Sequence, residues 1–125
     1  MGTPAAAPIR AAVVGFGISG KVFHTPLIAA NPHYSLDVIV TAHPERAAEA
    51  ARLYPQARIM ATPEELFALS ADLDLVILGT PPHTHFELAA TAIAHGLHVV
   101  VDKPFVPTSA LGEELISRAD DGGVR

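Results

Sequence analysis

The residues Ile9 to Val14 form a short apolar run that halts on three glycines, Gly15, Gly17 and Gly20, before helical character resumes toward Ala30. No other stretch limits the fold of this chain so tightly. The order reads as a strand, a tight turn and a helix. The glycines keep GxGxxG spacing, and each position has a mechanical reason to lack a side chain: the turn itself, the approach of backbone to a pyrophosphate, and the packing of helix on strand. N–H groups in the new helix's first turn then face the anion, helped by the helix dipole. A glycine turn without a ligand satisfies the bare spacing too. Its place after a β-branched strand and before a helix points to a dinucleotide.

The rest of the chain keeps the same beat. Residues 1 to 8 are an Ala/Pro lead, and in the first helix Val22, Phe23, Leu27 and Ala30 mark the expected inward face. Pro26 has no N–H for the carbonyl of Val22, which predicts a kink there or a fresh start capped by Thr25. Tyr34 to Val40 reads as the second strand, and Pro44 to Tyr54 as a helix with Ala47, Ala50, Ala51 and Tyr54 inward. Ala57 to Met60 is a short third strand. Thr62-Pro63-Glu64-Glu65 is a capping box that opens a helix to about Leu69.

Leu73 to Gly79 is the fourth strand, followed by a helix from His83 to His95 with Phe86, Ala89, Ala90 and Ile93 inward and Gly96 as its stop. Leu97 to Val101 is the fifth strand, a last helix runs from about Thr108 to Ala119, and residues 121 to 125 read as a turn leading to a sixth strand. Half of the residues are hydrophobic and the mean hydropathy is +0.34, which suits strands buried on both faces. The expected fold is therefore α/β, a Rossmann doubly wound parallel sheet with right-handed crossovers, truncated before or at the sixth strand. Residues 1–125 form one domain, enough for a single core and short for a two-domain enzyme.

Composition removes several classes of function. Eight basic against thirteen acidic residues, a net charge of -5, argue against nucleic acid, because phosphate contacts need clustered Lys and Arg. No apolar run approaches a membrane span, and the N-terminus has neither the basic region of a signal peptide nor the Ser or Thr of a myristoylation motif at position 6. Zero cysteines exclude disulfides, a Cys nucleophile and thiolate metal sites, and agree with a cytoplasmic protein. His83 and His85 are the only close histidine pair, and no third donor is identifiable, so no metal is expected. A short-chain dehydrogenase is disfavoured as well: Tyr54 is followed four residues later by Arg58, not Lys.

Four stretches taken in order carry a resemblance: GFGISGKVFHTPLI, PERAAEAA, GTPPHTH and AIAHGLHVVVDKPF. Together they resemble the N-terminal domain of the Gfo/Idh/MocA oxidoreductases, the glucose-fructose oxidoreductase and inositol dehydrogenase family, over nearly the whole chain. The resemblance implies an NAD- or NADP-dependent oxidoreductase acting on a sugar, polyol or related hydroxyl compound. It also implies a second, substrate-binding domain that is absent here, and it leaves room for a homo-oligomer. Carried over by residue, Gly15, Gly17 and Gly20 cradle the pyrophosphate beside Ser19, with Phe16 and Ile18 packing along the cofactor. Thr80 and Pro81 match the turn where ribose and pyrophosphate pass, with His85 fixing that turn. Lys103 matches the lysine beside the nicotinamide that reaches the substrate hydroxyl, and is the expected catalytic residue. Asp102 departs from the glutamate most members have; the resemblance implies that the shorter acid reaches a ribose or orients Lys103.

The residues alone put the site in the same place, since ligands of open parallel sheets bind beyond the carboxyl ends of strands, at the switch point between strands one and four. An acid about 20 positions past the glycines would hold a ribose 2′-hydroxyl and repel a 2′-phosphate. Here Val40-Thr41-Ala42-His43 stands instead, with Arg46 one turn on, so NADP is favoured over NAD. Two readings follow. The chain is the cofactor half of an oxidoreductase whose fragment binds cofactor without turnover, or it is a non-catalytic dinucleotide-binding or sensing module. Lys103 favours the first, because a sensor needs no such group beside the nicotinamide, although a solvated lysine at a strand end is its plainer reading.

Overall fold

The computed structural model describes residues 6–125; the first five residues of the Ala/Pro lead lie outside it. Its strands are β1 (Ile9–Val14), β2 (Tyr34–Val40), β3 (Arg58–Met60), β4 (Leu75–Leu78) and β5 (His98–Val101). They form one sheet in the order β3-β2-β1-β4-β5, every pair parallel. The order reverses between β1 and β4, so two crossovers leave this point in opposite directions and open a crevice above it. This is the doubly wound α/β sheet expected from the alternation of elements.

Successive side chains of a strand point to opposite faces, and in a sheet covered on both sides each set must be apolar. Ala12, Val14, Val76 and Leu78 accordingly pack into one core, and Val13, Ile39 and Ile77 into the other. The first core lies under α3 (Pro63–Phe67), α4 (His85–Ala94) and α5 (Ser109–Gly122), through Leu66, Phe67, Ala89, Ile93, Leu115 and Ala119. The second lies under α1 (Thr25–Ala30) and α2 (Pro44–Leu53), through Ile28 and Ala50, with Phe16 beside them. Thr62 Oγ1 accepts from Glu65 N–H at 3.3 Å to start α3, and Thr108 Oγ1 accepts from Leu111 N–H at 3.3 Å to start α5.

Three local expectations are corrected. Between the glycine turn and α1 the chain makes a π-helix, Ser19–His24, in which Thr25 N–H donates to Gly20 O five residues back. That wider turn rotates the inward stripe to Gly20, Thr25 and Ile28, leaving Val22 55% and Leu27 70% exposed, with Phe23 and Ala30 also outward. Pro26 does sit at a fresh start, in the first turn of α1, yet Thr25 is helical itself and its hydroxyl makes no cap bond. Ala51 of α2 is exposed, while Ala50 carries the contact with the core.

The last helix runs past Ala119 to Gly122 and ends on Gly123 at φ 70°, so residues 121 and 122 are helical and not a turn. Val124 is then buried, and Val99 N–H on β5 donates to Arg125 O at 2.8 Å.

Candidate functional site

One row of backbone hydrogen bonds crosses the sheet just past the strand ends. Thr41 N–H donates to Met60 O, Gly15 N–H to Val40 O, Gly79 N–H to Val14 O, and Asp102 N–H to Leu78 O, all at 2.8–3.0 Å. The parallel register thus brings Thr41, Gly15, Gly79 and Asp102 to one rim. Above that rim lies a cleft of about 660 Å³, lined among others by Gly15, Gly17, Ser19, Thr41, His43, Arg46, Thr80, Pro81, Asp102 and Lys103. Residues far apart in sequence therefore share one cavity.

The glycines shape its floor. Gly15 has φ 98°, a conformation that favours glycine, and a Cβ there would stand 2.7 Å from Gly79 O. A Cβ on Gly20 would run into the carbonyl of Gly15, so Gly20 is buried where the helix meets the strand. Gly17 differs from both. The nearest protein atom to a Cβ at that position is Arg46 Nη1, 3.7 Å away. No contact among the described residues requires a glycine there, and Gly17 lines the cleft. Lys21 N–H is bonded to Gly17 O at 2.8 Å, while the amides of Gly17, Ile18 and Ser19 find no backbone acceptor among the described residues. Such orphan donors at a turn suit an anion.

Polar side chains close the opposite wall. Thr84 Oγ1 donates to Pro81 O at 2.7 Å, so the 2.6 Å contact between the Thr80 and Thr84 hydroxyls uses the Thr80 proton. Thr80 Oγ1 is left with acceptor capacity toward the cleft. His85 is fully buried behind this turn, with Nε2 2.9 Å from Thr80 O and Nδ1 2.9 Å from Pro104 O. It joins the turn after β4 to the segment after Lys103. The contact is with the scaffold, of the kind that fixes this turn, and His85 is not among the residues that line the cleft. Both of its ring nitrogens face carbonyls.

Of the two residues expected along the cofactor, Phe16 lines the cleft and Ile18 does not. The ring of Phe16 is buried and meets Tyr54 edge-on, centroids 6.3 Å apart, because this face of the sheet needs a large apolar group under α2. Ile18 is 77% exposed and lies outside the cleft lining, carried outward by the π-helix that follows it.

The charges of the cleft come from Arg46, Lys103 and Asp102, with His43 beside them. Asp102 accepts from the Ser19 hydroxyl at 2.5 Å, and this bond chiefly holds its carboxyl below the usual carboxylate range. Burial opposes the shift, and the Lys103 N–H and His24 reinforce it. His24, which no motif singles out, puts Nε2 3.6 Å from Asp102 Oδ1. No spacing rule links positions 24 and 102; the sheet order does.

A family described as "Oxidoreductase family, NAD-binding Rossmann fold", GFO_IDH_MocA, matches residues 9–125. The chain belongs to this family. Among its relatives, the uncharacterized oxidoreductase YdgJ of Escherichia coli is 39% identical over 92% of this chain and 32% of its own. The scyllo-inositol 2-dehydrogenase (NADP(+)) IolW of Bacillus subtilis is 37% identical over 93% of this chain and 31% of its own. The crystal structure of GenD2 from gentamicin A biosynthesis, in complex with NAD, superposes with a TM-score of 0.87 at 31% identity, covering 99% of this chain and 35% of that one. The chain spans about a third of the length of the curated relatives it matches. Among the described residues no helix is long and apolar enough to cross a membrane.

Proposed function

We propose that residues 1–125 are the dinucleotide-binding part of an oxidoreductase acting on a CH–OH group of a sugar, polyol or related compound, with NADP preferred over NAD. The observation that carries this reading is Gly17, whose missing side chain serves no neighbour in the protein and faces the cleft beside Arg46. A cradle that a Cβ would fill, lined by free amides and a guanidinium, fits a pyrophosphate. Thr41, His43 and Arg46 stand at the ribose end with no carboxylate among the cleft's residues on that side, which accommodates a 2′-phosphate. The name of IolW, an NADP(+)-dependent inositol dehydrogenase, agrees with this choice and with a polyol substrate.

A bound nicotinamide supplies the hydride acceptor or donor. Lys103, at the far end of the same cleft, holds or releases the proton at the substrate hydroxyl. Thr80 Oγ1 offers an acceptor to the ribose, and Asp102 keeps the Lys103 backbone in place. A cleft made by one domain orients no substrate, and orientation can supply about 7 to 11 kcal/mol of a barrier. Residues 1–125 alone are therefore expected to bind dinucleotide weakly and to turn nothing over.

In the longer enzyme, Lys103→Met should lower the rate on the order of 100-fold or more with cofactor affinity changed far less. Steady-state kinetics with separate dinucleotide titrations check this, and a full rate with Met leaves a sensing module as the reading. Thr41→Asp should move the NADP to NAD affinity ratio toward NAD, because a carboxylate repels a 2′-phosphate in a poorly hydrated site. Calorimetry with both dinucleotides measures it; an unchanged ratio removes Thr41 from the ribose contact.

A further inference from the structure

We infer that His24 is a positioning residue: together with Ser19 it holds the Asp102 carboxylate across the end of β4 and so fixes the backbone from which Lys103 projects. The inference rests on the dinucleotide-binding reading for its consequence and on geometry alone for its structure. Ser19 and His24 both belong to the π-helix that follows β1, whereas Asp102 follows β5. The sheet places β4 between those two strands, so the contact spans a strand that takes no part in it.

The crossing is made possible at Gly79. A Cβ there would lie 3.3 Å from Gly20 N and 3.5 Å from Ser19 Oγ, tight against the segment that passes over it. With that side chain absent, Ser19 Oγ reaches Asp102 Oδ2 at 2.5 Å. The second carboxylate oxygen, Oδ1, faces His24 Nε2 at 3.6 Å. That nitrogen is buried and has no hydrogen-bond partner among the described residues. Buried polar groups seek partners, and the carboxylate is the acceptor that stands beside this one. A proton on Nε2 makes that contact attractive.

Lys103 follows Asp102 directly in the chain, so a held carboxylate fixes the start of the backbone from which the lysine projects. Asp102 is therefore held from the π-helix by two side chains, one residue before Lys103. The π-helical turn gives this arrangement its reach, because Ser19 and His24, five residues apart, come to one face at five-residue spacing.

The test uses residues 1–125, with His24→Ala, the donor-keeping His24→Gln, Asp102→Asn, and the His24→Ala/Asp102→Asn pair. In amide NMR spectra of the free chain, His24→Ala should move the Lys103 N–H resonance, and His24→Gln should restore much of its position. In the double variant the resonance should stay where Asp102→Asn alone leaves it. If His24→Ala does not fold, His24→Gln against the shorter His24→Asn makes the same comparison. An unmoved Lys103 amide in a folded variant, or shifts that simply add, overturns the inference.

The functional arm compares NADP with its fragment 2′-phospho-ADP-ribose, which lacks the nicotinamide. His24→Ala should weaken NADP about tenfold and leave the fragment nearly unchanged. Equal losses for both ligands mean a general structural role and overturn the inference. If the parent chain binds neither ligand, the dinucleotide reading falls, and the amide shifts still decide the contact.

Discussion

The turn after β1 and the turn after β4 face each other across one cleft, and they are built by opposite means. The first is shaped by absent side chains: Gly15 and Gly20 let two backbones touch, and Gly17 opens onto empty space. The second is shaped by side chains that use up their own hydrogen-bonding groups, Thr80 on Thr84, Thr84 on Pro81 and His85 on Thr80. One wall leaves donors unspent and the other consumes them. A site for a long, highly charged ligand profits from this division, since an anion needs free amides while the sugar beside it needs a wall that does not move.

Within the glycine turn the comparison is sharpest between Gly20 and Gly17. Gly20→Ala drives a Cβ into the carbonyl of Gly15, and backbone cannot move aside without parting helix from strand. The expected loss is about 3 kcal/mol of folding stability, at the upper end for overpacking a tight site. A urea titration of parent and variant measures it. An unchanged midpoint would mean that the turn is slack and that its glycines are not mechanical.

Gly17→Val should do the reverse. The nearest protein atom is the end of a flexible arginine, so the folding midpoint should stay close to the parent's. Dinucleotide binding should be lost, because the branched side chain occupies the space that backbone needs to leave open for phosphate. Calorimetry showing equal affinity in the variant and parent would put the pyrophosphate elsewhere.

Sequence reached the sheet and its rim because buried parallel strands announce themselves. Val13-Val14 and Val76-Ile77-Leu78 are apolar at every position, and the chain breaks on glycine or Thr-Pro where each strand ends. Part of the lining of the cleft was legible for the same reason, since Gly15, Thr41, Gly79 and Asp102 each follow a strand, whereas Ala61 and Pro63, past β3, were not singled out for the site. Helix faces were less so. A wheel of 3.6 residues per turn put Val22, Phe23 and Leu27 inside, but a stretch with i to i+5 bonds obeys another period and buries Gly20 and Thr25 instead. His24 was missed because its partner lies 78 positions away, on a strand that only the sheet order brings near.

The smallest expected effect belongs to the second turn, and its smallness is what separates that wall from the first. Thr84→Val keeps the shape of the side chain while removing one donor and one acceptor. Pro81 O loses its hydroxyl donor, and Thr80 Oγ1 loses the acceptor for its proton. Thr84 lies near the surface, so water replaces part of what is lost, and the folding stability should drop by about 1 kcal/mol. The backbone of the turn is also held by Thr84 N–H donating to Pro81 O at 3.0 Å and by His85 beneath Thr80, neither of which the substitution touches. Dinucleotide affinity should therefore stay nearly level, with the freed Thr80 proton able to turn toward the cleft. If Thr84→Val abolished binding as Gly17→Val is expected to, the wall after β4 would be contributing donors to the ligand, and the division of labour between the two turns would be wrong.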